Sequence, residues 1–136
     1  MFFNFTFIVE MQTFSKNERL CSKILIDRLM ANGKPFNHSP FRISWIPIAE
    51  SSAPIKVVIS VPKRSFKKAV DRNRLKRQIR EAYRKEKHNI YAVLGDKKIL
   101  LILIYTAKTK LEYAEIKQKL IEALSRLNNT LISNLK

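Results

Sequence analysis

Apolar and polar positions along the chain recur with two distinct periods. Between Leu20 and Met30 the pattern predicts a short helix with Ile24, Leu25 and Leu29 facing inward, and the Asn32-Gly33 pair supplies a stop. Phe41, Ile43 and Trp45 alternate with Arg42 and Ser44, the pattern of a strand with one aromatic face. Residues 49–54 read as a loop, and Ile55 to Val61 as a second strand, β-branched at most positions and closed by Pro62. Ala69 to Lys87 holds no Gly or Pro and many strong helix formers, so it predicts a long helix. Ile99 to Thr106 is apolar at nearly every position, which suits a strand covered on both faces. A last helix is expected from about Leu111, with Tyr113, Ile116, Leu120, Leu124, Leu127 and Leu131 in one stripe. Helix, strands, long helix, strand, helix is the order of a single α+β sandwich.

The two faces of the long helix differ in kind. At about 100° per residue, Leu75, Ile79, Ala82 and Tyr83 share one arc that must pack on the sheet. Asn73, Arg77, Arg80 and Arg84 fall roughly opposite, with Lys76 beside them and Arg72 and Arg74 flanking the first turn. Such a stripe can be no more than a solvated face. Solvated helices, however, usually intersperse Glu with Lys so that i,i+4 pairs offset repulsion, and this stripe carries almost no acid. Arginine also outnumbers lysine on it, and the guanidinium fork is the better bidentate partner for phosphate.

Composition sharpens that picture. The chain has 136 residues, is 46% hydrophobic and carries a formal charge of +16. That length is one domain able to bury roughly two-thirds of its unfolded surface, which disfavours a disordered basic tail and removes the need for a disulfide or metal staple. Thirteen basic residues lie between Lys56 and Lys87, opposed only by Asp71, Glu81 and Glu86, so a quarter of the chain holds +10 of the charge. Charge concentrated in this way is the footprint of a polyanion-binding face. Lys63-Arg64 after the second strand, and Lys67-Lys68 at the helix entry, add cations beside a helix amino terminus with its own partial positive charge.

Other chemistries are poorly served. Gly33 and Gly95 are too far apart for a glycine-rich phosphate loop, and Cys21, His38 and His88 assemble neither a zinc site nor a disulfide framework. A single cysteine fits a reducing cytosol. No clustered carboxylates are available to hold two metal ions for a protein-borne nuclease, and His38 and His88 sit in unrelated contexts. Strands on either side of the basic helix argue against a helix-turn-helix DNA reader. The apolar run from Met1 to Val9 ends at Glu10 and lacks a basic leader, and neither it nor Ile99 to Tyr105 is long enough to span a membrane. Residues 1–12 are read as an extension, either disordered or preceding a true start at Met11.

Lys63-Arg64 followed by Ala69-Val70-Asp71-Arg72-Asn73-Arg74-Leu75-Lys76-Arg77-Gln78-Ile79-Arg80-Glu81-Ala82-Tyr83 closely resembles the signature of the bacterial ribonuclease P protein subunit. Arg19-Leu20, Asn32-Gly33-Lys34 and Phe41 follow that family's opening, Lys56 to Val61 resembles its central strand, and Leu111-Glu112-Tyr113 the start of its last helix. The resemblance spans about residues 13–128, leaving 129–136 as a C-terminal tail. It implies an α-β-β-β-α-β-α sandwich of two layers, similar to the second domain of ribosomal protein S5, with a left-handed βαβ crossover and a short first strand near Lys34 to His38. It also implies a cytoplasmic protein that joins a catalytic RNA to remove the 5′ leader of precursor tRNA, with no membrane or DNA partner. The RNA subunit and its magnesium would carry the chemistry, and the protein alone would bind no cofactor and supply no catalytic or metal-ligating residue.

By the same resemblance, contacts to the RNA subunit map onto Arg72, Asn73, Arg74, Lys76, Arg77 and Arg80, to which the local charge and the helix face add Arg64, Lys67, Lys68 and Arg84; a leader-binding cleft maps onto Phe41, Lys63 and the nearby Ile26, Met30 and Ser44. The chain departs from the family where Ile26, Met30 and Ser44 replace usual aromatics and Val58 a usual small residue. Trp45 should share the face of Phe41, either as core or as a partial replacement. Leader binding is therefore expected to rest on phosphate contacts more than on stacking. Composition alone fits equally well a non-catalytic module that binds ribosomal RNA or assists ribosome assembly.

Overall fold

A computed structural model describes residues 23–48, 54–95 and 97–134. The extension at 1–12, Arg19, the helix start at Leu20, Cys21 and most of the loop at 49–54 lie outside these residues. The elements are α1 (Lys23–Asn32), β1 (Lys34–His38), β2 (Phe41–Ile48), β3 (Ile55–Ser60), α2 (Ala69–Leu94), β4 (Lys98–Tyr105) and α3 (Tyr113–Asn134). This is the expected α+β order, β1 included. The sheet runs β1-β2-β4-β3, antiparallel except for the parallel pairing of β3 with β4 that α2 bridges. The segment resembling the family's central strand is thus an edge of the sheet.

Strand alternation divides the interior in two. Phe41, Ile43 and Trp45 of β2 join Ile99, Leu101, Leu103 and Tyr105 of β4 against α2 and α3, forming the main core. Ile46, Leu100 and Ile102 point the other way and meet Leu29 of α1. Strand β4 is therefore covered on both faces, as its unbroken apolar run requires. Trp45 is core, sharing the face of Phe41.

Among the described residues, helix α1 covers only part of the second face. Ile26 and Leu29, three positions apart, turn toward the sheet, whereas Ile24 is 79% exposed, contrary to the expected inward set. Gly33 ends the helix against the sheet. A Cβ there would collide with Ser44 Oγ and lie 2.5 Å from the Leu29 carbonyl oxygen, the group that accepts the Gly33 N–H at 2.7 Å. Helix α2 runs seven residues beyond the predicted Lys87, because Ile90 and Leu94 continue its buried arc, and stops at Gly95 with φ +58°. Helix α3 begins two residues later than expected and carries on to Asn134 with Leu131 buried, so the boundary set at 128 falls inside a packed helix.

Candidate nucleic-acid interface

Helix α2 presents the two faces that its spacing predicts. Leu75, Ile79, Ala82 and Tyr83 are buried, while Asn73, Arg74 and Arg77 are exposed and Lys76 and Arg80 half-buried. The buried arc fixes the rotation of the helix, and that rotation holds the basic stripe outward. Apolar burial on one side thus sets the geometry of charge on the other.

The stripe's entrance is braced from within. Arg72 Nη1 donates to the carbonyl oxygens of Phe66 at 2.8 Å and Lys67 at 2.9 Å, tying the 62–68 loop to the helix. Arg72, expected among the RNA-binding residues, therefore spends part of its guanidinium on the protein itself. Lys67 and Lys68 beside it are exposed, and so are Lys63 and Arg64. Lys68 occupies the N-cap and offers no side-chain hydrogen bond to the first turn, so the helix's positive end faces this lysine pair without a side-chain cap.

The far end of the stripe differs from expectation. Arg84 is engaged side-on by Glu81, with Nη2 to Oε1 at 2.6 Å and Nε to Oε2 at 3.1 Å. Hydrogen bonding from Arg84 holds the Glu81 carboxyl below its ordinary value; burial opposes this, and the attraction of Arg84 and then Lys85 adds to it. Both partners are thus charged near neutrality, and their charges cancel. Arg84, predicted as a phosphate contact, is already neutralised within the molecule. Lys87 is only 2% exposed, its ammonium 5.8 Å from the centre of the Tyr91 ring, so it too is lost to the basic face.

A second basic surface opens beside α1. A cleft of about 760 Å³ is lined by Met30, Arg42, Pro62, Arg64, Ser65, Ile104, Tyr105, Thr106 and Lys108. Its floor is aliphatic, and every charged side chain on it is a cation. Of the five residues expected in a leader cleft, Met30 lines it, 58% exposed, and Lys63 lies exposed between Pro62 and Arg64. The other three do not. Phe41 is fully buried on the opposite face of the sheet, 6.1 Å from the Tyr105 ring in an edge-to-face pair, because period-two alternation turns it toward the long helices. Ser44 is on the α1 face but buried under Gly33, and Ile26 is half-buried against the small cluster around Leu29.

Arg42 and Lys108 were not expected in this cleft. For Arg42 the signal lay in the sequence, since a residue next to Phe41 in a strand must face the other way. Lys108 sits in the β4–α3 loop, and its place in the cleft depends on how that loop is held. Tyr105 Oη donates to the Thr109 carbonyl at 2.7 Å and accepts from Leu111 N–H at 3.3 Å, pinning the loop, while Lys110 reaches Asp71 at 3.2 Å. Burial raises the Tyr105 pKa, so its phenol keeps the proton that it donates. Among the described residues no three His, Cys, Asp or Glu side chains gather as a metal site, and no helix is long and apolar enough to cross a membrane.

An α+β domain with one cationic helix face and one cationic cleft defines a class of basic single-domain proteins shaped for a polyanion. Its family is narrower. Residues 14–128 match the family model described as Ribonuclease P, and the chain belongs to the ribonuclease P protein family. It is 37% identical over 92 residues to a ribonuclease P protein component of Porphyromonas gingivalis, covering 67% of each chain. The fold is that of the Thermotoga maritima RNase P protein, with a TM-score of 0.65 at 24% identity over 80% of this chain and 96% of that one. The Staphylococcus aureus RNase P protein gives a TM-score of 0.61 at 24% identity, over 82% and 96%.

Proposed function

We propose that this chain is the protein component of a bacterial ribonuclease P, binding the catalytic RNA through α2 and the 5′ leader of precursor tRNA through the cleft beside α1. The observation that carries this reading is the outward face of α2, where Asn73, Arg74 and Arg77 are exposed directly behind a fully buried apolar arc. Family membership supplies the substrate, and the electrostatics supply the mode of binding.

On the helix, guanidinium forks at Arg74, Arg77 and Arg80, with Lys76 and the Asn73 amide, meet phosphate oxygens of a folded RNA and release its counterions. Lys67 and Lys68 extend that contact at the helix entrance. In the cleft, Arg42, Arg64 and Lys108 track leader phosphates over a floor of Met30, Pro62 and Ile104. Tyr105, the one aromatic residue among the described residues lining the cleft, is fully buried, so leader bases find aliphatic surface and guanidinium planes, which every base can use. Recognition is then largely indifferent to leader sequence.

Magnesium held by the RNA supplies the hydrolytic chemistry; the protein's part is to neutralise phosphates that would otherwise repel one another where leader and catalytic RNA meet. The test is reconstitution. Added to a bacterial ribonuclease P RNA at low magnesium, the chain should stimulate cleavage of precursor tRNA at the mature 5′ end. A chain that bound the RNA tightly yet left cleavage unchanged would instead be a ribosomal or assembly module.

A further inference from the structure

Thirteen basic residues crowd residues 56–88, but they do not all face the same solvent. The acids among them are few and their positions on α2 are informative. With Leu75 at 0°, Arg77 and Arg84 lie near 180–200°, Glu81 near 240° and Lys85 near 280°. Glu81 therefore stands at one margin of the stripe, within reach of the cations on either side. It holds Arg84 through two hydrogen bonds, of 2.6 and 3.1 Å, and Lys85 at 3.8 Å.

A second acid lies nearer the buried arc, at the amino-terminal end of the helix. Asp71, near 320°, pairs with Lys110 of the β4–α3 loop at 3.2 Å. On α2 itself Glu81 thus holds Arg84 and Lys85, whereas among the described residues no carboxylate pairs with the exposed Arg74 and Arg77. A cation paired with a carboxylate brings no net charge to the RNA, so it displaces few of the counterions condensed there and adds little to affinity.

We propose that Glu81 ends the RNA-binding surface of α2, by holding Arg84 and Lys85 in ion pairs so that the RNA contacts stop short of Arg84. The proposal rests on the reading of α2 as an RNA-binding helix. Its consequence is specific: a single carboxylate limits how many phosphates the helix can neutralise, and so sets the register of the RNA backbone along it. Glu81 is exposed enough that removing its charge should leave the fold alone, its side chain being 43% accessible.

The test measures affinity for an in vitro transcribed bacterial ribonuclease P RNA at 50 and 200 mM salt, with thermal unfolding as a check on folding. Each phosphate contact contributes about threefold to the affinity lost over that range. Glu81→Gln should enlarge the wild-type loss by about three- to ninefold, as one or two freed cations find phosphates. Arg84→Ala alone should lose affinity with salt as the wild type does, whereas in the Glu81→Gln background it should remove about threefold of the enlarged loss. An unchanged salt dependence in Glu81→Gln, or a flattened one in Arg84→Ala alone, overturns the proposal. Arg77→Ala separates the two readings. If it too matches the wild type, α2 does not bind RNA and the proposal falls with that reading; if it flattens the dependence, the Glu81 and Arg84 results judge the proposal alone.

Discussion

The two cationic surfaces of this protein are built in opposite ways. The stripe on α2 is convex, and its apolar residues are all on the far side of the helix, buried against the sheet. The cleft is concave, and its cations stand around an aliphatic floor on the same surface. A convex row of guanidinium groups with no apolar floor beside it responds chiefly to phosphate spacing, which suits an RNA whose backbone shape is fixed. A concave basic groove with an apolar floor can also take up unpaired bases, which suits a single strand. The difference arises from cover. Helices α2 and α3 cover the sheet face that carries the main core, whereas among the described residues α1 covers only part of the other face.

Separating the faces of α2 gives the largest expected effects. Leu75→Ala or Ile79→Ala should destabilise the fold by about 2–5 kcal/mol in denaturant unfolding, since both side chains are fully buried. Any loss of RNA binding in these variants should track the unfolded fraction. If either variant kept full stability, the packed arc and with it the outward direction of the stripe would be misassigned.

Gly33→Ala comes next and acts on the cleft side. The added methyl meets Ser44 Oγ and the Leu29 carbonyl, and backbone cannot swing aside as a side-chain end can. A cost of about 1–3 kcal/mol is expected, read as a lower midpoint in thermal or denaturant unfolding. Because α1 forms one wall of the cleft through Met30, leader affinity should fall in this variant before affinity for the catalytic RNA does.

What the sequence revealed follows the same division. The rotation of α2 was legible because four apolar residues at helical spacing define an arc without help from the rest of the chain. Its true end was not, since Ile90 and Leu94 extend the arc past a run of charge in which Lys87 is buried. The cleft was legible only in part. Family likeness pointed to Phe41, yet the alternation of Phe41, Ile43 and Trp45 already assigned that ring to the main core and Arg42 to the open face. Ser44 could not be excluded by period alone; its burial depends on how closely Gly33 lets α1 approach. The pairing of Arg84 with Glu81 was open to an i,i+3 argument, while Lys108 needed the Tyr105 clasp on its loop.

Arg77→Ala should have a smaller effect, without loss of stability. Removing one exposed guanidinium lowers the log–log salt slope for the catalytic RNA by about 0.7–0.9, or about threefold in affinity between 50 and 200 mM salt. It should weaken binding of precursors with long and short leaders equally, because the stripe faces away from the cleft.

Arg42→Ala reverses that pattern and is the most direct test of the distinction between the two surfaces. The side chain is exposed on β2, beside the fully buried Phe41 and facing the opposite way, so its loss should leave unfolding unchanged. Affinity for the catalytic RNA alone should also hold. Precursor tRNA with a leader long enough to enter the cleft should bind about two- to threefold more weakly, the share of one phosphate contact, and a precursor without a leader should not notice the change. Varying the leader's base sequence should alter binding little in either protein, because Met30, Pro62 and Ile104 offer no donor or acceptor to read a base edge. A strong preference for one leader base that vanished in Arg42→Ala would mean that this arginine reads bases, and the cleft would then be a specific site and not a phosphate track.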